Sequence, residues 1–426
     1  MPSMAAAFPR YLDHDPMVPV WCVTPDGGPT IHRYWDTSPF SPSGRYLALT
    51  RFPTQERLPE PGDVAEVIVV DLQEGGEQVV AASRGWDTQL GAQAQWGADD
   101  TQLFFNDMDV AEWRPFGVLL DPFSGACREL EGTVYEVSAD GRYAVAPCPL
   151  RNRRTQGGYG VVVPPEVIPE NRGAAEDDGV YMTNVATGER RLLVSLREVF
   201  EQAIPAFDRD EYADGDFYAA HVKFNRDASR LMLVLRWIPR SYSSFRDMKQ
   251  RMKKNVVTMR AVGSDVRIAI PSSEWAVKGG SHPIWCPDGE HILMLLRIDG
   301  EQMRFVSARW DGAEYGALHE ELIGSGHPSM HPDGRHILTD CNAGDPSFCH
   351  EDRTCPIRLC DIATGEDLHL LRINHDPAFR GPKSELRVDP HPAWDRSFTR
   401  IAFNACPDGI RRVYVADLSE LVEERS

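Results

Sequence analysis

Along this chain, apolar residues alternate with polar ones in short runs, and each run follows a turn rich in Asp, Gly or Ser. The runs read "SPSGRYLALTRF", "WGADDTQLFFND", "SADGRYAVAP", "NRDASRLMLVLRW", "CPDGEHILMLLRI", "HPDGRHILTDC" and "WDRSFTRIAFNA". A period of two marks a strand, and Asp-Gly or Ser-Gly punctuation marks a tight turn. Most runs lead into a second strand that ends in a turn of the Asp-x-x-x-Gly kind. Examples are "AEVIVVDLQEGGE", "FGVLLDPFSGA", "GVYMTNVATGE", "IRLCDIATGE" and, more loosely, "RVYVADLSE".

Seven such units, each roughly 40 to 60 residues of strand and turn, make the pattern of a β-propeller. One blade cannot bury both of its faces, so neighbours must stack on it around an axis. The pattern therefore predicts an all-β chain forming one seven-bladed β-propeller over residues 1–426. Its blades fall near 31–83, 84–132, 133–200, 215–272, 278–322, 324–373 and 386–420. The early segment "PVWCVTP" is expected to close the ring against the last blade. Helical patterns are few, and "SLREVFEQAIPAF" and "SYSSFRDMKQRMKKN" predict insertion helices.

Composition narrows the function. Hydrophobic residues make up 42% of the 426, enough for a substantial core, and the 34 Gly and 32 Pro suit many short strands. A net charge of −19 disfavours nucleic acid, an anionic membrane surface or a long polyanion as partner. No apolar run reaches the length of a membrane span, and no secretory signal is visible at the start. Nine cysteines without a CxxC argue against a disulfide framework and for a reducing cytoplasm. Cys341, Cys349, Cys355 and Cys360 crowd one region, but their spacing fits no zinc knuckle and reads as buried or half-buried thiols.

The repeat also exposes a chemical pattern. "GSGHPSMHPDGRHILTD" is written again as "GGSHPIWCPDGEHILML" and, more loosely, as "VDPHPAWDRSFTRIAFN". Counting back ten residues from the apolar run places His221, His282, His327 and His391 in one slot of blades four to seven. The same count gives Thr37, Gln93 and Val134 in blades one to three. A single His at a strand start is a capping or packing residue. Four in one slot of the innermost strand predict imidazoles converging at one mouth of the channel, as a transition-metal site requires. His291, His331 and His336 flank turns and read as solvent-facing; His375, in "INHDPAF", enters the last blade by the loop that ends at His391.

These same stretches, with "RRVYVADL" near the end, resemble the cytoplasmic oligogalacturonate lyases, with the propeller ulvan lyases as more distant relatives. The resemblance is densest over residues 215–420, and before that only the blade rhythm is shared. It implies a metal-dependent enzyme that cleaves short uronic-acid oligosaccharides by β-elimination, leaving an unsaturated uronate. It implies a manganese-type divalent cation, with zinc, nickel and calcium as alternatives. By resemblance His327 and His375 are metal ligands, His391 is a further one, and His282 matches an active-site His that is not a ligand. The insertion "DPAFRGPKSELRVDP" separates His375 from His391, and Lys254 stands near the place of a blade-four Arg.

The implied reaction needs a base at C5, an acid at O4 and a positive partner for the carboxylate. His221 and His282 are the candidates for base or orienting group, Tyr159 for proton donor and Arg236 for charge pairing. Arg240, Arg246, Lys249, Arg251, Lys253 and Lys254 form a basic insertion, readable as a solvated helix face or as a lid over an anionic sugar. Arg154, Gln93, His32, Arg33 and Tyr34 complete the candidates for sugar contacts. The expected partner is an acidic oligosaccharide, with the protein a monomer or homodimer. Two other readings remain open on sequence: a hydrolase or epimerase of acidic sugars, and a non-catalytic TolB-like propeller that binds protein. The convergent imidazoles argue against the last, and the lack of a GxSxG turn argues against a serine hydrolase.

Overall fold

A computed structural model describes residues 4–298 and 300–425. Seven four-stranded antiparallel sheets account for the strands, and the fold is a seven-bladed β-propeller. The sheets fall into two compact units. One comprises residues 1–129, 157–163 and 325–426, with blades one, two, six and seven; the other comprises 130–156 and 164–324, with blades three, four and five.

In the first unit the last sheet is built from both ends of the chain. Val20–Cys22 pairs with Arg412–Asp417, matching Val20 to Ala416, Trp21 to Val415 and Cys22 to Tyr414. The expected closing strand is therefore present. Arg400–Ala405, in the middle of that sheet, divides its side chains by the two-residue period of a strand. Ile401 and Phe403 pack with Leu338 and Ile357 of blade six. Ala402 packs with Phe40 and Leu47 of blade one.

The second unit repeats this logic. Arg230–Pro239 is buried along its whole length. Leu231, Leu233 and Leu235 face the blade-three side with Val145 and Val180, whereas Met232 and Val234 face the blade-five side with Ile292 and Met294. A strand sandwiched between two sheets reads as a continuous apolar run, which is why "RLMLVLRW" lacks clean alternation. Edge strands such as Glu77–Ser83 leave three of seven residues exposed to water.

The Asp-x-x-x-Gly turns have one recurring cause. The Asp71 carboxylate accepts the N–H groups of Gln73 and Glu74, while Gly75 donates to the Asp71 carbonyl from a left-handed conformation. Asp121, Asn184 and Asp361 repeat it in blades two, three and six. This side-chain-to-backbone bonding favours turns over ladders.

Both insertions contain helices. Leu196–Gln202 starts from Ser195, which forms a reciprocal capping box with Glu198, and Phe245–Arg251 is capped by Ser244. The basic insertion is nonetheless not one helix, because Lys253–Arg260 is a blade strand paired with Arg230–Pro239. A second expectation is corrected at the cysteines. Cys349 and Cys355 form a disulfide, against the expectation of thiols alone, and the other seven cysteines are free. No helix among the described residues is long and apolar enough to cross a membrane.

Candidate metal centre

The slot found by counting is a backbone device. Gln93, His221, His282 and His391 all have positive φ, between 50° and 61°. Residues other than Gly rarely occupy this region, and at functional sites such strain is held by the surrounding structure. In blade four the register jumps between Ala220 and Lys223, so three steps on one strand oppose two on the next; blade five jumps identically between Ser281 and Ile284. His221 and His282 therefore sit in β-bulges, which re-aim a side chain out of the ordinary alternation.

Within the first unit, His327 and His391 come together with ring centroids 4.2 Å apart, edge to face. Asp389 completes a group in which ligand atoms of His327, Asp389 and His391 all lie within 4.8 Å of one another. All three residues are buried, with exposures of 2%, 9% and 1%. Burial pushes the Asp389 carboxyl up, but the Arg387 guanidinium, 2.7 Å away, outweighs it and holds the group below its usual value. Tyr34 and Trp35 wall the imidazoles, with Tyr34 4.5 Å from His391 and Trp35 4.8 Å from His327.

Asp340 fixes two of these residues. Its carboxylate accepts the backbone N–H and the Nδ1–H of His327 at 2.6 and 3.0 Å, and the backbone N–H of His391 at 3.1 Å. A carboxylate on Nδ1 leaves Nε2 as the lone-pair nitrogen, the arrangement metal-ligating histidines use. The close approach depends on Gly326, whose φ is +71° and where a Cβ would collide with Asp340. His375 lies outside the group of three. Its Nδ1 donates to the Val388 carbonyl at 2.9 Å, and its buried Nε2 has no hydrogen-bond partner among the described residues.

Tyr159 belongs to the same unit. Its hydroxyl lies 3.0 Å from that of Tyr34 and accepts from Arg387 at 3.3 Å, and burial holds its pKa above the ordinary value. His32 and Arg33 are interior residues. His32 faces the Pro390 carbonyl, and burial lowers its pKa to about 4; Arg33 is held by Asp36 and Thr37. Gln93 is buried at its bulged slot.

The second unit holds a different arrangement. Arg236 donates to His221 Nε2 at 3.0 Å and to Thr155 and Gln156 at 2.6 Å each. Arginine has no acceptor, so His221 carries its proton on Nδ1 and donates it to the Tyr135 hydroxyl at 2.8 Å. Lys254 lies 5.3 Å from the Trp275 ring, and burial, with Arg236 and Lys249 adding to it, lowers its pKa to about 8. Arg154 is tied to its own loop through Ile168, Pro169 and Glu170, and Arg240 to Asp216. His282 is half-buried.

Asp389, Asp340 and Arg387 escaped the sequence reading. "DPHP" carries a signal for the first, since residues i and i+2 share a face of extended chain. No family profile matches the chain, and no curated protein matches it. Solved structures do. An oligogalacturonate lyase in complex with manganese superposes with a TM-score of 0.64 at 16% identity, covering 98% of this chain and 97% of its own. The oligogalacturonate lyase of Vibrio parahaemolyticus gives 0.62 at 14%, covering 96% of each chain. A puromycin-hydrolyzing peptidase of Mycobacterium tuberculosis gives 0.51 at 13%, covering 92% of this chain and 54% of its own.

Proposed function

We propose that the protein is a metal-dependent lyase that cleaves uronic-acid oligosaccharides by β-elimination. The observation that carries this reading is the buried His327, Asp389 and His391 group, oriented by Asp340. The whole-chain likeness to oligogalacturonate lyases, one of them in complex with manganese, supports it. Two imidazoles and one carboxylate suit a first-row divalent ion, and manganese is our choice. His327 would bind through Nε2, with Asp389 and His391 beside it, and the Nε2 lone pair of His375 makes that residue a further candidate.

In the reaction the C5–H bond breaks, its electron pair becomes the C4=C5 bond, and the C4–O4 bond breaks. When bound, a divalent cation supplies Lewis-acid stabilisation of the charge that builds on the uronate carboxylate. Tyr159, kept protonated by burial, is the proton donor to O4; Arg387 holds its oxygen, leaving its proton for transfer. In the second unit, His221, hydrogen-bonded through Nε2 to Arg236, is that unit's candidate for a base. Arg236, with its planar fork, and His282 are the second unit's candidates for charge pairing and substrate orientation.

The test is absorbance of the C4–C5 unsaturated uronate across a panel of acidic oligosaccharides, before and after chelation. We expect product from at least one short oligouronide, lost on chelation and restored by Mn2+. Undiminished product after complete metal stripping would remove the metal role, and no unsaturated product from any uronide would sink the lyase reading.

A further inference from the structure

The crowded cysteines fit no spacing motif, yet the fold brings three of them to one point. Cys341 follows the strand His336–Thr339, Cys349 lies on the loop after it, and Cys355 is in the strand Thr354–Asp361. Their sulfurs all lie within 4.8 Å of one another, and Cys341 Sγ is 3.9 Å from Cys349 Sγ. We propose that in the reduced chain Cys341, Cys349 and Cys355 form a thiolate site for a soft divalent d10 cation of the Zn2+ or Cd2+ class.

Geometry is the first support. Sulfurs bound tetrahedrally at about 2.3 Å from zinc stand about 3.8 Å apart, close to the Cys341–Cys349 separation. Softness is the second, since thiolates select zinc-group ions over the harder manganese suited to histidine and carboxylate.

Occupancy and oxidation exclude each other. The Cys349–Cys355 disulfide ties up two of the three sulfurs. A thiol or phosphine reductant supplies two electrons, and with two protons from solvent the disulfide becomes two thiols. Binding M2+ then displaces three thiol protons and leaves a centre of net charge −1, with a further position open to water. The site is independent of the sugar chemistry, although Cys341 directly follows Asp340, so the two centres share a backbone segment.

The experiment is an anaerobic Cd2+ titration of the full chain after phosphine reduction and desalting, read by the ultraviolet thiolate-to-cadmium charge-transfer band. We expect one equivalent to saturate the band in reduced wild type and His327→Ala, and no band in the oxidised protein. Cys341→Ser and Cys355→Ser should each lose most of it, and Cys127→Ser, which removes an exposed thiol elsewhere, should keep it. Thermal melts confirm that each variant is folded, and either serine variant suffices if the other is not. Absence of the band in reduced wild type, or its full retention in a folded Cys341→Ser or Cys355→Ser chain, overturns the proposal.

Discussion

His327 presents Nδ1 to Asp340 at 3.0 Å from each carboxylate oxygen, and both side chains are buried. The same carboxylate holds the backbone of His391, so one residue positions two candidate ligands from two adjacent blades. Asp340 touches no substrate in our reading and acts through these histidines. Asp340→Asn keeps the shape but cannot fix the His327 tautomer with a charge. Outer-sphere partners of this kind typically contribute 10- to 100-fold in metal affinity, and we expect a loss of about that size for Mn2+. Competition against a fluorescent chelator measures it. Activity restored at saturating Mn2+ would mark a positioning role, whereas unchanged affinity would refute it.

Asp389 and His375 make competing claims on the third ligand position. Asp389 lies within the compact group, while His375 offers a buried Nε2 lone pair from the loop before it. We expect Asp389→Ala and His327→Ala each to abolish stoichiometric metal, measured by mass spectrometry after gel filtration. His375→Ala should lower affinity by a smaller factor. Metal retained in Asp389→Ala and lost in His375→Ala would reverse the assignment.

Tyr159 offers a sharper test of chemistry. Its hydroxyl is bracketed by Tyr34 and Arg387, and Phe preserves the ring while removing the proton. General acid catalysis contributes about 10²- to 10⁴-fold, so Tyr159→Phe should lower kcat by that order with little change in KM or bound metal. A better leaving group at O4 should narrow the deficit. A purely structural Tyr159 would instead show equal loss on both substrates.

The blade repeat was legible because strand period and turn chemistry are local. "HILML" and "HILTD" alternate or run apolar for reasons confined to a few neighbours, and the Asp71 turn is built from five residues. The His slot was legible for a related reason, since a repeat places equivalent residues on equivalent strands. Its bulge was not, because nothing in "AAHVKF" or "GSHPIW" announces a positive φ at a histidine. Asp340 stayed hidden because it matters through a contact made across blades. The Cys349–Cys355 pair was missed because the count argued from compartment, whereas a tight turn over a sequence separation of 6 brought the sulfurs together.

Lys254 gives a pH signature that belongs to the second unit. Its pKa falls from 10.5 to about 8, first through burial and then through Arg236 and Lys249. Below pH 8 it is charged in both the folded and unfolded chain, and the folded state bears the full cost of that charge. Between pH 8 and 10.5 the folded lysine is neutral while the unfolded one still binds its proton, so this group's contribution to stability rises with pH. Lys254→Met removes the charge and keeps the stem. The pKa drop is worth up to about 3 kcal/mol at about 1.36 kcal/mol per unit, and the lost contact with Trp275 returns part of that. We therefore expect the variant to be more stable than wild type by about 1 to 2 kcal/mol at pH 7, with the gap closing as pH approaches 10.5. Paired urea melts across that range measure it, and because both proteins share every other titrating group, only the difference between them is read. A gap that stays constant with pH would mean that Lys254 keeps an ordinary pKa in the fold.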